Sequence, residues 1–110
     1  MDATELYAAM DALLADMHAY YPKAAEAFSN EKLPNGPLLS WLAHKGYNVT
    51  PEPFMNQWGF EFRPVADPTT LTCLVIADTP NEAIREGIRE IFLPIPFGRG
   101  LAILSPEGQP

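Results

Sequence analysis

The sequence has few thiol and imidazole groups: one cysteine, Cys73, and two histidines, His18 and His44, in 110 residues. A single cysteine cannot close an internal disulfide, so an oxidising compartment is not indicated. A zinc site needs about four ligands at close spacing, and these three side chains are far apart in the sequence. We therefore predict neither a bound metal nor a cofactor.

Basic residues are also scarce, with 7 Lys and Arg against 14 Asp and Glu, which gives a formal net charge of -7. This charge disfavours direct contact with the phosphate backbone of nucleic acids. It has two interpretations: it attracts a protein with a basic surface, or it merely keeps a small protein soluble. We predict a protein partner and no direct nucleic-acid binding.

Long apolar runs are absent, since no stretch approaches the ~20 residues that span a bilayer. The N-terminus, MDATE, is acidic where a secretory signal would be basic. These two features predict a cytoplasmic protein without a membrane anchor.

Groups arranged for catalysis are missing as well. Cys73 lies among apolar neighbours, which favours a buried, unreactive thiol over a nucleophile. His18 flanks an apolar helix face, and His44 falls in the last turn of a predicted helix, where a basic group suits the helix dipole. The glycines around Arg99 precede a strand rather than a helix, so they do not indicate phosphate binding. We predict that the protein is not an enzyme.

The strongest folding signal runs from Thr70 to Phe92. A mostly apolar strand at residues 70–77 leads directly into a helix, Pro80–Phe92. Thr79 at the N-cap, Pro80 at the first helical position and Glu82 at the third form a capping box. The helix has one isoleucine face, and its charged residues are expected to lie in water: Arg85, Glu86, Arg89 and Glu90.

Residues 2–20 carry apolar side chains at spacings of three and four, the pattern of one helix face. The opposite side is an alanine stripe, with Glu5 and Asp16 along one edge; it comprises Ala8, Ala12, Ala15 and Ala19. Alanine is the best helix former, so the stripe has a purely local explanation, or a second copy packs against it in a homodimer. Pro22 either ends this helix or opens a short second one, and Pro37 begins a third, which runs to Lys45.

Beyond Pro53 apolar residues recur at every second position instead of every third or fourth. This alternation predicts a strand at residues 57–63 with Trp58, Phe60 and Phe62 on one face. The sequence Asp67-Pro68 supplies a turn before the strand at residues 70–77, and a last strand is predicted at residues 101–104. The predicted fold is a single α+β domain. About three helices (residues 1–46) precede a β-β-α-β part (54–105), whose small antiparallel sheet is covered by helices on one face, and a loose tail follows (106–110).

The connection after the last helix is rich in apolar residues for a loop. Its prolines lower the entropy cost of presenting an aromatic side chain, and an arginine beside an aromatic is typical of interfaces. The loop therefore either folds back onto the core or contacts a partner. The partner-binding hypothesis comprises Pro94, Ile95, Pro96, Phe97 and Arg99, together with Glu5 and Asp16.

The order strand, strand, capped helix, strand, with the junction Asp78-Thr79-Pro80-Asn81-Glu82-Ala83, resembles the N-terminal region of HicB-type antitoxins. The likeness covers under half of the chain and lacks the DNA-binding segment that follows in those antitoxins. The resemblance identifies no site residues in this chain, and it implies a binding function rather than catalysis.

Small size, acidic charge and the apolar loop together favour a protein-binding module. The hypothesis is an inhibitor, of the immunity-protein, antitoxin or phage anti-defence type, that occupies a basic surface on its target. Two alternatives stay open: a structural or chaperone-like homodimer that uses the alanine stripe, and a ligand-binding domain or enzyme with a pocket between helices and sheet, near His18 or Cys73.

Overall fold

Three helices come first in the described chain, followed by a three-stranded sheet and a fourth helix. The protein's computed structural model describes residues 3–93. Its elements are α1 (Ala3–Tyr20), α2 (Pro22–Ser29), α3 (Gly36–His44), β1 (Tyr47–Phe54), β2 (Gln57–Pro64), β3 (Cys73–Ala77) and α4 (Pro80–Phe92). The sheet is antiparallel with the order β1-β2-β3. The predicted α+β fold is confirmed, while the predicted strand at residues 101–104 lies outside the described residues.

The junction between β3 and α4 has the predicted cap. Thr79 has an extended backbone, and its hydroxyl accepts a hydrogen bond of 3.1 Å from the Glu82 amide. This bond satisfies one of the amides that a helix start leaves without an intrahelical partner. α4 runs from Pro80 to Phe92, so its predicted bounds are confirmed at both ends.

Proline and glycine residues mark the bounds of the N-terminal helices. Pro22 opens α2 rather than only ending α1, since the fixed backbone angle of proline suits a first helical position. Gly46 follows α3 with a φ of +96°, a left-handed conformation that favours glycine and stops the helix. α1 buries Leu13 and Met17 against the core, while its alanine stripe faces solvent.

β1 is a strand that the sequence interpretation missed, because Pro51 and Pro53 argue against a central strand. Both prolines pair in register with β2, Pro51 opposite Phe60 and Pro53 opposite Trp58. A proline has no amide to donate, so a strand tolerates it where that position faces away from the neighbouring strand. β1 lies at the edge of the sheet, which meets this condition and places the start of the sheet at Tyr47 rather than at residue 54.

β3 begins at Cys73, three residues after the predicted start. The carboxylate of Asp67 accepts hydrogen bonds from the hydroxyls of Thr69 (2.7 Å) and Thr70 (2.6 Å). These bonds hold the pKa of Asp67 below its usual value and keep the two threonines in a turn. The turn after β2 is therefore longer than the Asp67-Pro68 pair predicted.

The core lies between the sheet and the helices that cover one of its faces. Phe62 of β2 is fully buried beneath α4, where Gly87 allows its ring to approach the helix backbone closely. Ile84 and Ile88 of α4 and Trp41 of α3 are also fully buried. Burial of large apolar groups of this kind supplies most of the driving force for folding.

The charged face of α4 is not fully solvated, contrary to the sequence interpretation. Arg85 donates a hydrogen bond of 3.0 Å to the carbonyl of Phe28 and pairs with Glu31 at 3.4 Å. The guanidinium of Arg89 lies 5.5 Å from the centre of the Phe28 ring. Two arginines therefore attach α4 to the C-terminal turn of α2, where carbonyl groups lack intrahelical partners.

Candidate functional site

An exposed apolar surface lies at the end of the β1–β2 hairpin. We call it the hairpin patch, and it consists of Pro51, Pro53, Met55 and Trp58. Met55 is fully exposed and Trp58 is 49% exposed. Exposed methionine and tryptophan side chains in one patch are uncommon on a surface without a binding role, and both residue types are enriched in interfaces.

Strand alternation explains why Trp58 lies in this patch. Trp58 shares a face of β2 with Phe60 and Phe62, as the sequence pattern predicted. The helices cover Phe60 and Phe62 but not Trp58, so the same face is core at one end of the hairpin and surface at the other. The pattern therefore assigns Trp58 to the correct face, but that face is buried only where the helices cover it.

The turn of the hairpin places Met55 in a strained conformation. Phe54 and Gln57 are paired, which leaves Met55 and Asn56 as a two-residue loop. Met55 has a φ of +43° and is the one non-glycine residue with positive φ in the described part of the chain. Glycine is preferred at this first loop position because a side chain there approaches the backbone too closely.

A cleft of about 390 Å³ lies along the hairpin patch. Its lining residues include Glu52, Asn56 and Gln57 but no lysine or arginine. Glu52 pairs with Gly59, so strand alternation directs its carboxylate to the sheet face opposite Trp58. The amide of Gln57 donates a 3.2 Å hydrogen bond to the carboxylate of Asp78. The cleft is therefore mainly apolar, while the acidic residues Glu52 and Asp78 lie at the same end of the hairpin, which suits non-covalent contact with a basic partner.

The two acidic residues of the sequence hypothesis are not brought together. Glu5 is exposed in the first turn of α1. Asp16 lies eleven residues further along the same helix, roughly 16 Å away at the helical rise. Its carboxylate accepts a 3.1 Å hydrogen bond from the indole of Trp41 and pairs with Lys45 at 3.2 Å. Asp16 thus joins α1 to α3, beside a groove of about 280 Å³ that ends at Phe92.

The proposed loop site lies almost entirely beyond the described part of the chain. Leu93, the C-cap of α4, is buried in the core. The other hypothesised residues of that loop, Pro94, Ile95, Pro96, Phe97 and Arg99, lie outside the described residues.

The three groups considered for catalysis do not converge. His18 is exposed on α1, and His44 on α3 stacks on Tyr20 with ring centres 4.2 Å apart. Cys73 is buried in β3. Burial raises the pKa of the Cys73 thiol to about 12, and the carboxylates of Glu90 and Glu86 add to the rise. The thiolate needed for nucleophilic attack is therefore strongly disfavoured at neutral pH.

The Cys73 thiol gives a testable prediction. Folded protein is expected to resist alkylation by iodoacetamide at about pH 8 and to react fully in denaturant, as mass spectrometry would show. The pKa of the thiol is higher in the folded protein than in the unfolded chain, where it is near 9.0. Below pH 9.0 the thiol therefore leaves the free energy of unfolding unchanged. As the pH rises from 9.0 toward 12, the unfolded chain loses the proton first and the free energy of unfolding falls. Cys73→Ala should lose this part of the alkaline decline; a thiol that reacts in the folded state at pH 8 would contradict its burial.

Within residues 3–93, no group of three or more His, Cys, Asp or Glu side chains is placed to hold a metal ion. None of the described helices combines the length and the apolar character needed to cross a bilayer.

Comparison with known proteins found no relative. No protein-family model matches the chain, no curated protein matches it, and no solved structure resembles it closely enough to count as a match.

Proposed function

We propose that this protein is a small binding module that attaches to a basic surface of a partner protein through the hairpin patch, and that it acts as an inhibitor by covering that surface. The observation that carries the proposal is the conformation and exposure of Met55. Its backbone is in the left-handed region, and its side chain is fully exposed.

Met55 contributes no burial that would offset its strain. A non-glycine residue in the left-handed region costs roughly 1–2 kcal/mol, and a fully exposed side chain recovers none of this through packing in the chain itself. Strained residues of this kind concentrate at functional sites. A contact made by the methionine side chain with a partner accounts for its presence where the turn favours glycine.

Charge supports a basic partner. The chain carries a net charge of -7, and two acidic residues lie at this end of the sheet: Glu52 pairs with Gly59, and Asp78 accepts a hydrogen bond from Gln57. An acidic surface accelerates encounter with a basic one and raises the energy of contact with acidic competitors. A small acidic protein that covers a basic surface fits the inhibitor class, which includes immunity proteins, antitoxins and phage anti-defence factors.

A homodimer through α1 is the second candidate. The four alanines of the stripe are exposed, and Tyr7 on the same helix is 68% exposed. Small side chains allow two helices to approach closely, so this face suits a second copy. Tyr7 consequently serves as the matched control for the hairpin patch.

Met55→Gly is the direct test of the proposal. Glycine removes the strain, so the free energy of unfolding in a urea titration is expected to rise by up to about 1 kcal/mol. Loss of the side-chain contact is expected to weaken partner binding about fivefold or more. Binding would be measured by capture from native lysate at low salt, with proteins identified that the wild type retains and the variant loses.

Tyr7→Ala is the control, because it removes another large exposed apolar side chain, from α1. The proposal requires that this variant retains the partner that Met55→Gly loses. Retention by Met55→Gly together with loss by Tyr7→Ala would place the binding surface on α1. Equal retention by both variants would show that neither side chain contributes.

A further inference from the structure

We infer that Met55 is a modification site: a hydroperoxide oxidises its thioether to the sulfoxide, and the hairpin patch then binds the partner more weakly. This inference rests on the proposed function, and it specifies how the same surface is regulated. Oxidation converts the flexible, apolar side chain of methionine into a polar one, which disrupts contacts that depend on methionine.

The side chain of Met55 is open to an oxidant from solvent. Met55 is fully exposed, whereas Met17 is fully buried in the core and Met10 is half-buried on α1. Met1, the remaining methionine of the sequence, lies outside the described residues. A peroxide must contact the sulfur to transfer its oxygen. Among the described methionines, Met55 is therefore expected to react first.

The thiol of Cys73 does not compete for the oxidant. Cys73 is buried in β3, and burial raises the pKa of its thiol to about 12. Because the thiolate is the form that reacts with peroxide, little reactive thiol exists at neutral pH. A thioether carries no proton, so its oxidation needs no ionisation. Peroxide is therefore expected to react with Met55 rather than with Cys73.

The reaction transfers one oxygen atom from hydrogen peroxide to the Met55 sulfur. A sulfur lone pair attacks one peroxide oxygen, an S–O bond forms and the O–O bond breaks. The departing hydroxide takes the proton from the transferred oxygen and leaves as water. The sulfide is thus oxidised to the sulfoxide, and the peroxide is reduced. Methionine sulfoxide reductases reverse this oxidation, so the modification is reversible.

Oxidation of Met55 changes the surface of the protein and leaves its fold intact. The Met55 side chain lies in solvent, so an added oxygen displaces no packed neighbour. The same addition to Met17 would place a polar group in the apolar core. The urea midpoint is therefore expected to stay unchanged when Met55 alone is oxidised, and a lowered midpoint would contradict this step.

The effect on binding follows from the surroundings of Met55. Pro53, Met55 and Trp58 all line the hairpin cleft, which is mainly apolar. A partner that covers this surface removes water from the sulfoxide oxygen, and burial of a polar group without a matching hydrogen bond is unfavourable. Oxidation of Met55 is expected to weaken partner binding about fivefold or more.

Peptide mapping of the full chain after timed exposure to hydrogen peroxide tests the site. Trypsin cleaves after Lys45, which separates Met55 from Met10 and Met17. Mass spectrometry then follows the gain of one oxygen atom at each methionine. We expect Met55 to be oxidised about tenfold faster than Met17 or more. Equal rates would overturn the inference, and so would oxidation of Cys73 before Met55.

Two substitutions at Met55 separate oxidation from loss of the side chain. Met55→Leu keeps an apolar side chain of similar size without sulfur, so it is expected to capture the partner from lysate before and after peroxide treatment. Met55→Gln places a polar group at the same position and is expected to lose the partner without peroxide. The peroxide is removed before the protein meets the lysate, so the partner itself is not oxidised. Oxidised wild type should regain the partner after treatment with methionine sulfoxide reductases.

The remaining outcomes separate this inference from the proposed function. If oxidised wild type retains the partner while Met55→Gly loses it, the inference fails and the proposed function stands. If peroxide abolishes capture by Met55→Leu as it does for the wild type, another residue carries the effect and the inference fails. Retention of the partner by Met55→Gln would also overturn the inference. If Met55→Gly retains the partner, the proposed function itself fails.

Discussion

Trp58→Ala is expected to weaken binding to the purified partner by about 30-fold or more. Truncation of a central interface tryptophan typically costs 2 kcal/mol or more, because the ring supplies a large contact area at low entropy cost. Trp58 is the largest exposed side chain of the hairpin patch. On the neighbouring strand, Pro51 and Pro53 restrict how far the backbone can adjust. Isothermal titration calorimetry with the partner recovered by capture would measure the loss.

The same substitution is expected to change stability only modestly. Trp58 is half exposed in the free protein, and its cross-strand neighbours are Pro53 and Ala77. Such pairs contribute roughly 0.2–1 kcal/mol each. A near-normal urea midpoint combined with lost affinity would identify Trp58 as a binding residue. A fall in the urea midpoint together with the loss of affinity would instead show that Trp58 mainly stabilises the fold.

Trp58→Phe and Tyr7→Ala complete the comparison. Phenylalanine keeps an aromatic face but offers a smaller contact area, so an intermediate affinity is expected. Tyr7→Ala removes a comparable ring from α1 and is expected to bind normally. Full affinity of Trp58→Ala would contradict a role for the hairpin patch in binding.

Elements with local signals were predictable from the sequence. The Thr79 cap, the proline at the start of α4 and its isoleucine face all depend on residues within that one helix and its cap, and the structure confirms them. Pro22 and Gly46 likewise mark a helix start and a helix stop. Such signals need no knowledge of distant parts of the chain.

The strand β1 was not predictable in the same way, because a strand with two prolines is tolerated only at certain positions in a sheet. Pro51 and Pro53 would disrupt a central strand and are tolerated at an edge. Which strand lies at an edge is decided by pairing with β2, and this is tertiary information. The sequence pattern alone therefore favoured a loop.

The candidate site was missed for a related reason. Alternation correctly assigned Trp58 to the face that contains Phe60 and Phe62, but it does not show where the covering helices end. Asp16 shows the same dependence on distant parts of the chain, since its carboxylate is engaged by Trp41 and Lys45, while its role in partner binding stays a prediction. One local signal did exist: the two-residue turn between Phe54 and Gln57 contains no glycine, which is unusual for a tight hairpin.

Gly87→Ala is expected to be strongly destabilising although alanine is the better helix former. Its methyl group would overlap Cζ and Cε1 of the Phe62 ring, and that ring is fully buried. Overpacking of this kind costs roughly 1–3 kcal/mol and sometimes more, and the gain of about 1 kcal/mol in helix propensity is set against it. Because the ring presses directly on the helix, the clash is expected to dominate, and the urea midpoint should fall.

Gly36→Ala is the matched control, because an added methyl group at that position of α3 would have open space around it. Its stability should equal or slightly exceed that of the wild type. Phe62→Leu in the Gly87→Ala background should restore part of the loss, since a smaller side chain relieves the overlap and the two changes are then non-additive. Additive effects would show that Gly87 and Phe62 are not in tight contact.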